Sequence, residues 1–359
     1  MYIIIALIII LVLVFINYKI NNKGFIDNYE NYDEVIVERP FVNLYDNNGN
    51  KLNVILISKP FGFDEDKSKS TYLKLKENNV ILGITSYLEF PNVISNPFDD
   101  FNEDYKKHKY KEWCDGWLYC FRNPEDYFSE HIPKLLISES DFMDCYINKP
   151  KNVEKIYDFI YICLKQDESS DVCDDWATYN KNWQLGKKCL SIMCKKFKLK
   201  GALIGRKDCE IDSECDSLMH TTNMLSNDEL KTYYDKSRFI FIPNVADASP
   251  RVLAEALLYN VPCLVNKNIL GGWKYVNNNT GMFFNDENDI EDVLSIFLKN
   301  INNYTPRQFF LDNYGPVNSG KKLKNFIFTH FKDRLNRKEK DIDYLTIDYP
   351  KVNFKTCQN

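Results

Sequence analysis

Asp247 and Glu255 stand eight residues apart in the segment 238–266, RFIFIPNVADASPRVLAEALLYNVPCLVN. Carboxylates accept hydrogen bonds from hydroxyls in well-defined directions. One acid of such a pair can hold a sugar and the other a ribose. The residues between them include Ser249-Pro250, which has the form of a helix start. A helix start offers unpaired N–H groups and the positive end of a dipole, so it favours phosphate. Together these residues suit a ligand that is both phosphorylated and rich in hydroxyls.

The elements that must position the pair follow from the same segment. Phe239 to Pro243 is an apolar, β-forming run that fits a buried parallel strand. Asn244 to Ser249 is small and polar, and reads as a loop. Ser249 is expected to cap a helix with Pro250 at its first position. Arg251 to Tyr259 carries apolar residues at helical spacing and ends at Asn260, and Val261 to Val265 is a second strand. Strand, helix, strand is a βαβ unit with a right-handed crossover. In open α/β sheets ligands bind at the carboxyl ends of the strands, which is where Asp247 and the helix start would lie.

With Asp247-x7-Glu255 followed by Asn260-Val261-Pro262-Cys263-Leu264, the segment resembles the carboxyl-terminal domain of GT-B glycosyltransferases. The likeness is to the retaining group 1, or family 4, class with its E-x7-E signature. Gly271-Gly272-Trp273-Lys274-Tyr275-Val276 and Asn279 to Phe284 resemble the glycine-rich run that follows in that class. The resemblance is strongest over 222–298 and extends more weakly to about 156 and 331. It implies that Glu255 accepts the ribose hydroxyls and that Asp247, shorter than the usual Glu, contacts the donor sugar. It places Ala248 and Ser249 where backbone amides touch sugar and phosphate. Pro250 stands where the class has an N–H, and Arg251 is the candidate to supply charge there. The class also has an Arg and a Lys that clamp the diphosphate, as a fork and a point charge. No R-x4-K stands in the matching place, and Lys165, Lys181 and Arg206 are the nearest candidates. By position, Asn223, Met224 and Leu225 are expected to read the base, and Gly62 to lie in a loop that faces the donor phosphates.

The rest of the chain is read around this unit. At 359 residues two domains are expected. Net charge is −5, so no nucleic-acid footprint is visible and no nucleic-acid partner is expected. Residues 2–16, YIIIALIIILVLVFI, carry no charge and span about 22 Å as a helix. Extended to residue 20 they read as an uncleaved transmembrane anchor (residues 2–20 being the membrane contact). Lys19 and Lys23 after it lean toward a cytosolic body. The 11 cysteines show no C-x-x-C and read as buried thiols in a reducing compartment. In an oxidising one, local loops Cys114–Cys120, Cys189–Cys194 and Cys209–Cys215 are the near pairs. Only 4 His are present, scattered, and no metal or cofactor is expected.

The expected fold is thus α/β, GT-B, with two Rossmann-like domains facing a cleft, preceded by the transmembrane helix. The boundaries are 1–20 anchor, 21–50 stem and lead-in hairpin, and 51–150 a small acceptor-side domain. Residues 151–331 form the nucleotide-sugar domain with its terminal helices, which in the class pack back on the first domain. Residues 332–359 are a charged, loosely held tail. Pro124 to His131 is expected as a helix, and Glu139 and Asp141 as cleft acids. The function implied is sugar transfer from a nucleotide-diphosphate donor to a glycan, lipid or protein acceptor, with retention and without metal. An exostosin-like inverting transferase and a non-catalytic nucleotide-sugar-binding scaffold stay open as alternatives. A Rossmann oxidoreductase is disfavoured because no G-x-G-x-x-G follows a strand.

Overall fold

Side chains alternate between the two faces of a strand, and the apolar runs of this chain bury both faces. The computed structural model describes residues 37–85, 90–91, 107–165, 173 and 176–348. The anchor 2–20 and most of the stem lie outside the described residues, as do residues 349–359. Among the described residues no helix is long and apolar enough to cross a membrane. Val37 onward forms one compact unit that contains two six-stranded sheets.

The first sheet is built from β1 (Phe41–Asp46), β2 (Lys51–Ile57), β3 (Val80–Ile84), β4 (Gly116–Tyr119), β5 (Lys134–Leu136) and β12 (Leu345–Ile347). Its order is β12-β1-β2-β3-β4-β5. β1 pairs antiparallel with both neighbours, and the strands from β2 to β5 run parallel. The helices α1 (Glu65–Asn78) and α2 (Tyr110–Trp113) lie in the crossovers. Parallel strands in sequential order, joined by right-handed crossovers, leave one face uncovered. The long helix α9 (Gly315–Phe331) covers it, packing Leu323, Ile327 and Phe331 against Val54, Leu56 and Leu82.

Three expectations change here. β1, expected as lead-in, is an interior strand of this sheet. Residues 345–347, expected within a loose tail, are a buried edge strand registered Leu44 to Ile347. Pro124 to His131 forms only a short 3-10 turn over Pro124–Asp126; the stretch has a helix-start signal in Asn123-Pro124 but no continuing apolar stripe.

The second sheet contains β6 (Tyr157–Ile162), β7 (Gly201–Ile204), β8 (Met219–Thr222), β9 (Ser237–Ile242), β10 (Cys263–Asn266) and β11 (Gly281–Phe284). All are parallel, in the order β11-β10-β9-β6-β7-β8. One face buries Phe159, Tyr161, Phe239 and Phe241 under α4 (Trp183–Phe197) and α7 (Ile290–Asn300). The other buries Ile160, Ile204, Ile240 and Ile242 under α6 (Arg251–Leu258) and α8 (Pro306–Asn313). The strand order reverses between β6 and β9. That switch point opens a crevice at their carboxyl ends.

The reading of all cysteines as thiols is corrected. Cys173–Cys209 and Cys194–Cys215 are disulfides, with Cα separations of 5.8 and 5.3 Å. They join residues 36 and 21 positions apart, not the near neighbours that spacing suggests. Cys114, Cys120, Cys163, Cys189 and Cys263 are buried free thiols.

Candidate functional site

The switch point brings Lys181 to Asp247. Lys181 ends α3 (Trp176–Lys181), which leads through Asn182 into α4. Asn182 Nδ2 donates to the Pro243 carbonyl at 3.1 Å, and Val245 N to the Asn180 carbonyl at 3.3 Å. These bonds lay the loop after β9 along the α3–α4 corner. Lys181 Nζ then meets Asp247 Oδ2 at 2.8 Å, and Asn244 Nδ2 donates to the same oxygen at 2.8 Å. Both charged side chains are mostly covered, at 22% and 14% exposure. Asp247 is therefore a held carboxylate with a cation at its side, and its other oxygen remains an acceptor.

The start of α6 differs from the expected cap. The helix begins at Arg251 with Pro250 before it, at φ −68° and ψ 89°. Ser249 does not cap. Its hydroxyl lies 2.7 Å from that of Ser140, in the 3-10 turn Glu139–Phe142 that follows the first sheet. Ser140 N donates to Ser249 Oγ, and Ser140 Oγ to the Ser249 carbonyl. Ala248 is buried. A Cβ on Gly271 would collide with the Ala248 carbonyl, and Gly272 adopts φ +75° beside the Pro250 ring. The glycine pair is thus what lets the loop after β10 pass against the helix start.

That loop also carries Lys274 and Tyr275, which both donate to Asp141 of the 3-10 turn. Asp141 is buried, and its carbonyl accepts from Ser319 of α9 at 2.7 Å. Trp273 Nε1 donates to the Cys120 carbonyl at 2.8 Å, and Arg122 to the Ile269 carbonyl at 3.1 Å. The loop after β10 is therefore sewn to the carboxyl end of the first sheet at several points. Asp141, expected as a cleft acid, is a buried structural hub that lines neither of two cavities beside the start of α6, whereas Glu139 lines the smaller one.

Glu255 lies one turn into α6 and lines a cavity of about 290 Å³. Arg251, Tyr234, Lys231 and Asn227 line it from the same sheet's helices, and the segment Phe142–Asn148 forms the opposite wall. Lys231 and Tyr234 belong to α5 (Asn227–Lys236). The Tyr234 hydroxyl donates to Glu255 Oε2 at 3.0 Å. Burial pushes the Glu255 carboxyl above the ordinary glutamate value, while the Tyr234 bond, Arg251 and Lys231 oppose the shift. The site thus joins a desolvated acceptor to two nearby cations, which fits a ligand with hydroxyls on one side and anionic oxygens on the other.

The remaining candidates separate. Asp247 and Glu255 flank the start of α6, but Asp247 does not line the Glu255 cavity. Arg206 is fully buried, and its guanidinium donates to the carbonyls of Cys163, Cys173 and Leu164 at 2.7 to 3.2 Å while lying over Trp183. It holds the loops after β6 and β7 together, a role that engages its donors with main chain. Lys165 is buried in the same region. Met224 is 60% exposed and Leu225 packs on the core, and neither they nor Asn223 line the cavity. Asn227 and Leu230, a few residues on, take that place. Gly62 sits at φ +66° at the head of a 3-10 turn and does not line the Glu255 cavity. Lys231 and Tyr234 were missed by sequence reading. The signal was the capping box at Ser226 and Glu229, which starts α5 and puts residues 231 and 234 on one face.

No protein-family model matches the chain, and no curated protein matches it in sequence. Solved structures match it in fold. A sucrose-phosphate synthase from Thermosynechococcus elongatus aligns at a TM-score of 0.55 and 12% identity, over 74% of this chain and 72% of that one. The lipopolysaccharide outer core galactosyltransferase WaaB aligns at 0.52 and 11%, over 76% and 75%. A glycosyltransferase from Rickettsia africae aligns at 0.51 and 13%, over 77% of each chain. These neighbours are GT-B glycosyltransferases, and the two sheets of this chain form the same two-domain α/β arrangement.

Proposed function

We propose that the protein is a glycosyltransferase that moves a sugar from a nucleotide-diphosphate donor to an acceptor hydroxyl. The observation that carries this reading is Glu255: a desolvated carboxylate in a cavity of about 290 Å³, beside Arg251 and Lys231, at the start of a helix in a GT-B fold. The ribose hydroxyls donate to Glu255. The diphosphate lies at the start of α6, near Arg251, and the donor sugar reaches toward the Lys181–Asp247 pair. The acceptor oxygen bonds to the anomeric carbon as the bond to the diphosphate breaks, and the electron pair leaves with the diphosphate. The acceptor's proton passes to a departing phosphate oxygen. Helix dipole and cations stabilise the charge that develops there. No metal enters this scheme, and retention rests on the E-x7-E resemblance of Asp247 and Glu255.

A panel of UDP-, GDP- and ADP-sugars in thermal-shift measurements tests the reading. At least one should raise the melting temperature of the wild type, and Glu255→Ala should lose that shift while staying folded. A wild type that responds to no nucleotide sugar sinks the proposal. Donor hydrolysis or transfer then separates an enzyme from a binding scaffold.

The apolar segment 2–20 anchors the protein in this reading. Lys19 and Lys23 favour a cytosolic body, but the disulfides Cys173–Cys209 and Cys194–Cys215 argue for an oxidising compartment. We assign the body to the oxidising side. Thiol alkylation of the freshly extracted protein, without reductant, should leave Cys173, Cys194, Cys209 and Cys215 unmodified. Their full modification would return the body to the cytosol.

A further inference from the structure

A second cavity, of about 180 Å³, shares Phe142, Met143 and Arg251 with the Glu255 cavity. Arg39, Glu139 and Asp348 complete its charged lining. It is assembled from distant parts of the sequence: the lead-in to β1, the turn after the first sheet, the start of α6, and the residue that follows β12. Four charged side chains therefore face one small space. Among the described residues, none of the four side chains is hydrogen-bonded or ion-paired. Arg39, Arg251 and Asp348 are exposed and Glu139 is half-buried, so all four side chains keep donors or acceptors open to a ligand.

The chemistry of that lining is specific. The two arginines present only donors, and the two acids present only acceptors when ionised. The charges sum to zero, so a simple anion or a simple cation meets as much repulsion as attraction. A neutral polyol satisfies both sets, because each hydroxyl donates and accepts. Phe142 and Met143 supply an apolar wall, as a ring with a C–H face requires. The position matters equally. Arg251 separates this space from the Glu255 cavity, so its occupant lies beside the start of α6.

We propose that this second cavity is the acceptor subsite, and that it takes a neutral carbohydrate group. The assignment rests on the glycosyltransferase reading for the word acceptor, but not for the ligand class. It makes the C-terminal segment at Ile347–Asp348 part of the binding wall. Asp348 holds φ +60°, so Asp348→Gly removes the carboxylate without backbone strain.

Saturation-transfer NMR on the full chain, with methyl glycosides of glucose, galactose, mannose and N-acetylglucosamine, tests the proposal. At least one glycoside should bind. Arg39→Ala and Asp348→Gly should each weaken it roughly tenfold, the loss expected for one charged hydrogen bond. Glycerol 3-phosphate should not compete. Absence of binding by every glycoside, unchanged affinity in both variants, or displacement by glycerol 3-phosphate each overturns the subsite. The nucleotide-sugar panel keeps the two readings apart. A wild type that binds nucleotide sugars but no glycoside loses only this subsite. One that binds glycosides but no nucleotide sugar loses the transferase reading instead.

Discussion

The burial of Glu255 sets the pH at which its cavity is ready for a ligand. Desolvation raises its carboxyl value in the folded chain above that of the unfolded chain. For an acid with a raised value, the sign is fixed by linkage. The stabilising contribution is fully present below the unfolded value, about 4.3. It is lost as pH rises through the folded value. Ligand binding runs the other way, because the ionised form accepts from ribose hydroxyls more strongly and without an O–H donor of its own. Thermal melts of wild type and Glu255→Gln between pH 4 and pH 8 should therefore diverge, with the wild type losing ground as pH rises. Nucleotide-sugar affinity of the wild type should climb over the same window. Parallel melting curves would show that the carboxyl is not desolvated. At Asp247, Lys181 and Asn244 both bond to one carboxylate oxygen. The two acids of the pair thus differ in setting: Glu255 is desolvated and Asp247 is ion-paired.

At the scale of elements, Asp141 joins three of them: the 3-10 turn, the loop after β10 and α9. Lys274, its partner, has a side chain only 7% exposed. Removing one member of a buried pair leaves the other charge uncompensated, at a cost of about 3–5 kcal/mol. Asp141→Ala should lower stability to urea by that order, and Asp141→Ala with Lys274→Met should recover part of it. Equal losses in the single and double variants would mean that the buried charge is not the cause. None of this coupling was legible in sequence, where Asp141 was one acid among 51 Asp and Glu residues. The strands of the second sheet were legible, because Phe239 to Ile242 and Cys263 to Val265 are apolar runs bounded by breakers. Ser249 was misread because local pattern cannot show that Ser140, 109 positions away, takes its hydroxyl. Arg206 was misread for a similar reason. An arginine engaged by three carbonyls has the same sequence signature as one that awaits phosphate. The disulfides, too, join segments that only the folded sheet brings together.

Across the whole molecule, the chain's end determines whether the first sheet is complete. α9 leaves the second sheet's side and covers the open face of the first. The chain then returns through Ile342 to β12, whose Leu345 is fully buried. Gly320 of α9 lies so close to the Leu345 carbonyl that a Cβ there would collide with it. The helix and the strand therefore dock as one piece. β12 also covers the outer edge of β1, whose main-chain groups would otherwise invite pairing with another chain. Leu345→Ala removes a buried side chain from this junction and should cost about 2–5 kcal/mol. Against a typical domain stability of about 5–15 kcal/mol, that is a large fraction. Removing residues 342–359 takes away three buried aliphatic side chains, Ile342, Leu345 and Ile347, each worth about 1.5–3 kcal/mol. The truncated chain should melt well below the wild type and self-associate through the bared β1 edge, as light scattering would detect. Because Asp141 and Ser319 tie α9 to the loop beside the start of α6, the loss should spread to the Glu255 cavity. Nucleotide-sugar binding should then fall in Leu345→Ala as its melting temperature falls, although residue 345 lines neither cavity. Full nucleotide-sugar affinity in the truncated chain would show instead that the second sheet folds and binds without the first.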